Sequence, residues 1–200
     1  MIPNYLAMPV NITSSLGYWR ADLPWYVPGA TLTLARIIQP SWRVLEWGCG
    51  ASTIFYARHC RQVTSIDASP RWVAKVRARL AERCPGVAAD VRLVPAQDMA
   101  TAAAALDGPY DLIAVDTGPG IDRDAILRLS AASLIAPRGV FVLDNYGSLR
   151  HWPDTSRLRH ARFVNSIGLD PATWKCSYFT APRWVGRGTC LLTTWTRGDP

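Results

Sequence analysis

Five short apolar runs in this chain each lead to a carboxylate, and helical patterns separate them. Trp42 to Trp47 (WRVLEW), Gln62 to Asp67 (QVTSID), Asp90 to Pro95 (DVRLVP), Tyr110 to Asp116 (YDLIAVD) and Gly139 to Asp144 (GVFVLD) have the length and β-branched content of buried strands. Between them, Ser52 to Cys60, Pro70 to Arg83, Gln97 to Ala105 and Asp122 to Ile135 read as helices. Ser69 is placed to cap the second of these, with Pro70 at the first position, where a missing N–H costs nothing. Its Trp72, Val73, Val76 and Leu80 fall at 3- and 4-residue spacing and predict an inward stripe, while Arg71, Lys75, Arg77, Arg79 and Arg83 are expected to face water.

Strands that alternate with helices this regularly imply a parallel sheet with helices on both faces. A helix near Thr155 to Ile167 follows, then strands near Thr173 to Thr180 and Thr189 to Thr196. The connection between those last two leaves no room for a crossover helix, so they form an antiparallel hairpin on the sheet edge. The expected fold is α/β: a doubly wound, mostly parallel seven-stranded sheet with an antiparallel C-terminal hairpin. One domain spans residues 1–200, with an N-terminal lid or helical segment at 1–39 and an α/β core at 40–200.

In such sheets ligands bind beyond the carboxyl ends of the strands. Glu46, Asp67, Asp116 and Asp144 stand at four of those ends, and Asp98 lies just past the third strand. One acid after a strand is turn chemistry; five at consecutive ends describe an acidic crevice suited to a cationic ligand. The first loop, Glu46-Trp47-Gly48-Cys49-Gly50-Ala51-Ser52-Thr53, supplies two glycines for close backbone approach at a helix start. A dinucleotide fingerprint would place a third glycine where Thr53 stands. Asp67 could instead serve only the next helix, and Glu46 could pair with Arg43; both alternatives stay open here.

The segment VLEWGCGAST (Val44 to Thr53) resembles the first motif of class I S-adenosylmethionine-dependent methyltransferases, and the order of elements over residues 40–196 is similar as well. LPWYVPGA (Leu23 to Ala30) and the VLDN after the fifth run resemble a group of small bacterial members of uncertain substrate. The resemblance implies a Rossmann-like methyltransferase fold and S-adenosyl-L-methionine as cofactor. It implies Glu46 near the methionine amino group, and the backbone of Gly48 and Gly50 along the methionine and ribose. Asp67 falls to the ribose hydroxyls, Gln97 and Asp98 to the adenine, and Asp116 to the meeting point of cofactor and substrate.

Catalysis falls to Asp116 and Asp144. Together with Asn145 they also resemble the metal ligands of metal-dependent small-molecule O-methyltransferases, which implies Mg²⁺. The chain departs from those enzymes at Thr117-Gly118-Pro119-Gly120, where they carry another acid or a histidine. Without a metal, His151 is a further candidate base. The loop Ala181 to Gly188, with Arg183, Trp184 and Arg187, is expected at the ligand face, or else as a cover for the sheet edge. Tyr18, Trp19, Trp25 and Tyr26 are candidates for an aromatic lid, or else for simple packing.

The expected activity is methylation of a small-molecule oxygen or nitrogen. An NAD(P)-dependent oxidoreductase would explain Gly48, Gly50 and Asp67 but not Glu46, Asp98 or Thr53. A polyamine synthase shares something of VDTGPGID but carries a GGxxGG loop that this chain lacks. The net charge of +7, nearly all arginine because the only lysines are Lys75 and Lys175, keeps an RNA methyltransferase open through Arg150 to Arg162. A non-catalytic binding protein of the same fold is the remaining alternative. No run approaches the roughly 18 apolar residues of a membrane span. The first twenty residues lack the pattern of a signal peptide. The five cysteines fit neither a metal knuckle nor a disulfide scaffold. A cytoplasmic protein is expected, with no membrane partner and an oligomeric state that the sequence leaves open.

Overall fold

The acid-terminated runs become adjacent strands. A computed structural model describes residues 15–118, 120–148, 164–179 and 187–194. Strands β1 (Arg43–Trp47), β2 (Gln62–Asp67), β3 (Ala88–Leu93), β4 (Tyr110–Val115) and β5 (Ile135–Ser148) are parallel; β6 (Lys175–Phe179) and β7 (Arg187–Thr193) complete the sheet. The order is β3-β2-β1-β4-β5-β7-β6. β7 is antiparallel to both β5 and β6, so the closing hairpin inserts its second strand against β5 and leaves its first on the edge. The strand order reverses between β1 and β4, which puts a crevice beyond their carboxyl ends.

The sheet is apolar on both faces because each side is covered. Val44, Leu112, Val140 and Val142 face one core, while Leu45, Ile113, Phe141 and Leu143 face the other, as the two-residue period of a strand requires. The first core is closed by α1 (Ser15–Ala21), α2 (Pro28–Ile37), α3 (Ala51–His59) and α4 (Pro70–Arg83). The second is closed by α5 (Met99–Ala102), α6 (Arg123–Ser133) and Val164, Ile167 and Leu169. The same period carries Glu46, Asp116 and Asp144 to the α1–α4 side of the strand ends.

Beyond shifts of two or three residues at strand ends, three differences from the expected elements stand out. β5 begins at Ile135 rather than Gly139, and a register shift between Tyr110 and Leu112 of β4 absorbs the extra residues. The Gln97–Ala105 helix is broken into the four-residue α5 flanked by 3₁₀ turns at Ala96–Asp98 and Ala103–Ala105. The helix expected at Thr155 to Ile167 lies mostly outside the described residues, with 164–166 helical.

Helix α4 departs from its predicted faces. Ser69 does cap it, its Oγ accepting from the Trp72 N–H at 3.3 Å, and Val73, Val76 and Leu80 are buried. Trp72, however, is 42% exposed and meets Trp19 edge-on at 5.8 Å, with the Lys75 ammonium 4.0 and 4.6 Å from the two ring centroids. Arg79 is not simply solvated. Its Nε donates to Asp22 Oδ1 at 2.8 Å, and Arg58 reaches Asp22 Oδ2 at 2.8 Å. Local periodicity could not see α1, whose edge supplies these partners.

Asp22 is buried, with a left-handed backbone (φ 53°), and it ties the end of α1 to α3 and α4. Asp22→Asn keeps a residue tolerant of that backbone but removes the charge facing two guanidinium groups. Urea unfolding is expected to show a loss of about 1–3 kcal/mol. A change within about 0.5 kcal/mol would mean that the pairs contribute no more than surface ion pairs.

Candidate functional site

Glu46 sits one residue before the end of β1 and is 1% exposed. A carboxylate there needs partners, and three hydroxyls supply them. Ser52 Oγ donates to Oε1, while Thr53 Oγ1 and Ser65 Oγ donate to Oε2 at 2.5 and 2.7 Å. Thr53 Oγ1 in turn accepts from the Gly50 N–H at 3.0 Å. Thr53 therefore replaces the third glycine of a dinucleotide fingerprint with a link between the loop and the buried acid. Arg43 is engaged elsewhere, with Gln62, Asp107 and the Pro109 carbonyl, so no Arg43–Glu46 pair forms.

The loop after β1 is held on both sides. The Gly48 N–H donates to the Ile66 carbonyl at 2.7 Å, and the Asp116 N–H donates to the Trp47 carbonyl at 2.8 Å. Gly48 has φ +99°, and a methyl group there would collide with the Asp116 carbonyl. Gly50 faces open space; only Ser52 Oγ, 3.8 Å away, lies near where its Cβ would be. Asp67 Oδ2 accepts from the Cys49 N–H at 2.8 Å and Oδ1 from the Ser69 N–H at 2.7 Å. Each oxygen keeps room for a further donor. Asp67 is more than a cap, since Ser69 performs the capping. Gln97 and Asp98 are exposed on the turn after β3.

Just past the last β4–β5 pair, Val115 with Leu143, the acids meet one cation. The Asp116 side chain is 32% exposed and that of Arg123 22%. Asp144 is buried; its Oδ1 accepts from Thr189 Oγ1 at 2.6 Å and its Oδ2 from Asn145 Nδ2 at 2.7 Å. Thr189 Oγ1 also accepts from the Val27 N–H at 3.1 Å, tying the N-terminal segment to β7.

Burial pushes Glu46 up to about 7, against its three hydroxyl partners, and Asp67 adds to the push. Burial, then the Asp144 charge, raise Asp116 well above the carboxylate range; Arg123 pulls it back and Glu46 raises it further. Asp144 is pushed up to about 6 by burial, with Thr189 and Arg123 opposing. These acids repel one another across adjacent strand ends. That donor set fits a ligand carrying an ammonium and a sulfonium, with a carboxylate, Asp67, placed to accept from hydroxyls.

The same set does not fit Mg²⁺. Arg123 stands against Asp116 with Nη2 3.4 Å from Oδ1, and its Nη1 donates to the Asp144 carbonyl at 2.7 Å. Both Asp144 oxygens are already hydrogen-bonded, one of them by Asn145 itself. Among the described residues no group of three His, Cys, Asp or Glu could hold a metal ion.

Sequence reasoning missed Ser52, Ser65, Thr189 and Arg123. The hydroxyls carry no motif, and Thr53 in a glycine's place was the one available clue. Arg123 was hidden because a cation at a helix start reads as solvated surface. Of the lid candidates, Tyr18 and Tyr26 are buried, with the Tyr26 and Tyr56 hydroxyls 3.0 Å apart; Trp19 packs on α4 and Trp25 is 54% exposed. The strand pairings run β6 parallel to β5, so β6 ends at Phe179 on the crevice side. His151, Arg183, Trp184 and the side chain of Arg187 lie outside the described residues.

A family model described as a methyltransferase domain matches residues 45–146. Among solved structures, an O-methyltransferase from Bacillus cereus in complex with SAH superposes with a TM-score of 0.65 at 20% identity, covering 94% of this chain and 93% of that one. A putative rRNA methylase from Clostridium thermocellum gives 0.60 at 15%, covering 84% and 94%. An rRNA methylase from Streptococcus thermophilus gives 0.59 at 15%, covering 82% and 93%. Among curated proteins none matches.

Glu46→Gln gives a direct check on the buried acid. A folded pKa near 7 against an ordinary 4.5 means that the fold favours the protonated form. That stability is fully present below about pH 4.5 and is lost as pH rises through about 7. Between pH 5 and 8 the wild type is expected to lose stability relative to Glu46→Gln, by at most about 3 kcal/mol. Parallel stability–pH curves for the two proteins would show that Glu46 is ionised without strain.

Proposed function

The chain belongs to the methyltransferase-domain family as a class I S-adenosylmethionine-dependent methyltransferase, and from that premise we propose that it methylates an oxygen or nitrogen of a small molecule. The observation that carries the choice of acceptor is the acidic mouth. Asp67, Asp116 and Asp144 rim the strand ends, and the cation beside them, Arg123, is already engaged by Asp116, Thr117 and the Asp144 carbonyl. A polyphosphate backbone would meet net repulsion there.

S-adenosylmethionine supplies a methyl group on a sulfonium, which the acceptor takes by in-line displacement. Asp67 is assigned to the ribose hydroxyls, because its two oxygens are fixed by Cys49 and Ser69 and keep free lone pairs. The backbone at Gly48 and Gly50 lines the donor, with Gln97 and Asp98 toward the base. Glu46 acts through the loop that it anchors and through its charge, since its oxygens are taken by hydroxyls. Asp116 is the group that takes the acceptor's proton: it is partly exposed, and its raised affinity for a proton suits a base. Asp144, buried and with each oxygen held by a hydrogen bond, shapes the wall rather than touching the acceptor.

A second reading, RNA as acceptor, draws on the net charge of +7, on Arg150 to Arg162, and on the two similar rRNA methylases. Incubation with S-[methyl-³H]adenosylmethionine separates the two. The expected result is label in low-molecular-weight phenols, hydroxy acids or amines and none in precipitated total RNA. Asp116→Asn is expected to lower kcat by about 100-fold or more with KM for the donor little changed. Label confined to RNA would overturn the small-molecule reading, and an unimpaired Asp116→Asn would remove Asp116 as the base.

A further inference from the structure

We propose that Arg123 is the resident cation of the acceptor site: its guanidinium fills the place among Asp116, Thr117 and Asp144 where a divalent cation would have to sit, and it positions Asp116 in the metal's stead. That Asp116 faces an acceptor rests on the function proposed above; the occupancy of the cation site does not.

Three independent features support the assignment. The first is the span of the guanidinium. Nε donates to Thr117 O and Oγ1, each at 3.1 Å; Nη1 donates to Asp144 O at 2.7 Å; Nη2 donates to Thr117 O and stands 3.4 Å from Asp116 Oδ1. One side chain thus bridges the residues after β4 and Asp144 of β5, the two strands that would supply the metal ligands.

The second feature is the state of those ligands. A hard divalent cation demands a shell of oxygens at about 2.1 Å. Asp144 gives both side-chain oxygens to Thr189 and Asn145, and its carbonyl to Arg123. Asn145 faces that carboxylate with its amide nitrogen, as it must, because two oxygens would repel. Its amide oxygen therefore does not join the Asp144 carboxylate around a common ion.

The third feature is where Arg123 begins. It is the first residue of α6, whose N-cap Asp122 accepts from the Ala125 N–H at 2.9 Å. The N-terminal turn of a helix is the unfavourable end for a cation. Arg123 is held there against the helix dipole by the acids and carbonyls that it bridges. Its planar fork suits three simultaneous partners in a way that a lysine would not. A divalent ion beside it would have to enter against a fixed positive charge within a few ångströms.

The test uses Mn²⁺ as the probe, with electron paramagnetic resonance of the ligand-free full chain at pH 7.5. The wild type is expected to bind no Mn²⁺ at this site at 1 mM, on the order of a typical assay concentration. Arg123→Ala, which releases Asp116, is expected to bind it at least about tenfold more tightly than the wild type, and Arg123→Ala/Asp116→Asn is expected to lose that gain. Stoichiometric Mn²⁺ binding by the wild type, removed by Asp144→Asn, would overturn the proposal without needing any Arg123 variant. So would a folded Arg123→Ala protein that gains no affinity. Failure of the methyltransferase reading would appear separately, as absent donor binding with the Mn²⁺ result unchanged.

Discussion

A carboxylate buried among three hydroxyls is the constraint from which the crevice follows. Glu46 cannot remain in the first core without Ser52, Thr53 and Ser65, and those residues come from the start of α3 and from β2. Satisfying the acid therefore fixes where α3 begins and how β2 lies beside β1. The loop between has little freedom left: Gly48 must take a left-handed conformation against the Asp116 carbonyl, and Cys49 must present its N–H to Asp67. Unsatisfied buried charge is so costly that one residue sets the geometry of three elements and the loop between two of them.

The second organising force is repulsion. The sheet's period and register bring Glu46, Asp116 and Asp144 to one side of adjacent strand ends, with Asp67 nearby, and burial raises the proton affinity of the first three. Such a cluster is tolerable because it is partly compensated. Arg123 offsets Asp116 and holds the β5 end, and Thr189 steadies Asp144 while holding the N-terminal segment through Val27. Glu46 is held by its three hydroxyls, and Asp67 keeps lone pairs free beside it, the acidic environment that the proposed cationic methyl donor requires.

Much of this was legible in the sequence because it is local. The strand runs, their terminal acids, the Ser69-Pro70 helix start and the glycines after β1 all express short-range chemistry. What stayed hidden depends on contacts across the chain. Thr189 reaches Asp144 only because β7 inserts beside β5 rather than lying outside β6. Trp72 turns outward because α1 arrives to stack on it, and Arg79 is paired because Asp22 comes with that helix. The poor fit of these residues to Mg²⁺ was hidden for the same reason. Asp116, Asp144 and Asn145 resemble a ligand set when read alone, and only the fold brings Arg123 among them.

We propose that the acids at the strand ends form the site for S-adenosylmethionine. Calorimetric titration of the purified protein with S-adenosylmethionine, with NAD⁺ as the competing nucleotide, and with Asp67→Ala in parallel, tests it most directly. Saturable binding of S-adenosylmethionine alone is expected, weakened about tenfold or more in the variant, because two hydroxyl-to-carboxylate hydrogen bonds are lost. Binding of NAD⁺ instead, or S-adenosylmethionine affinity untouched in a folded Asp67→Ala protein, would contradict it.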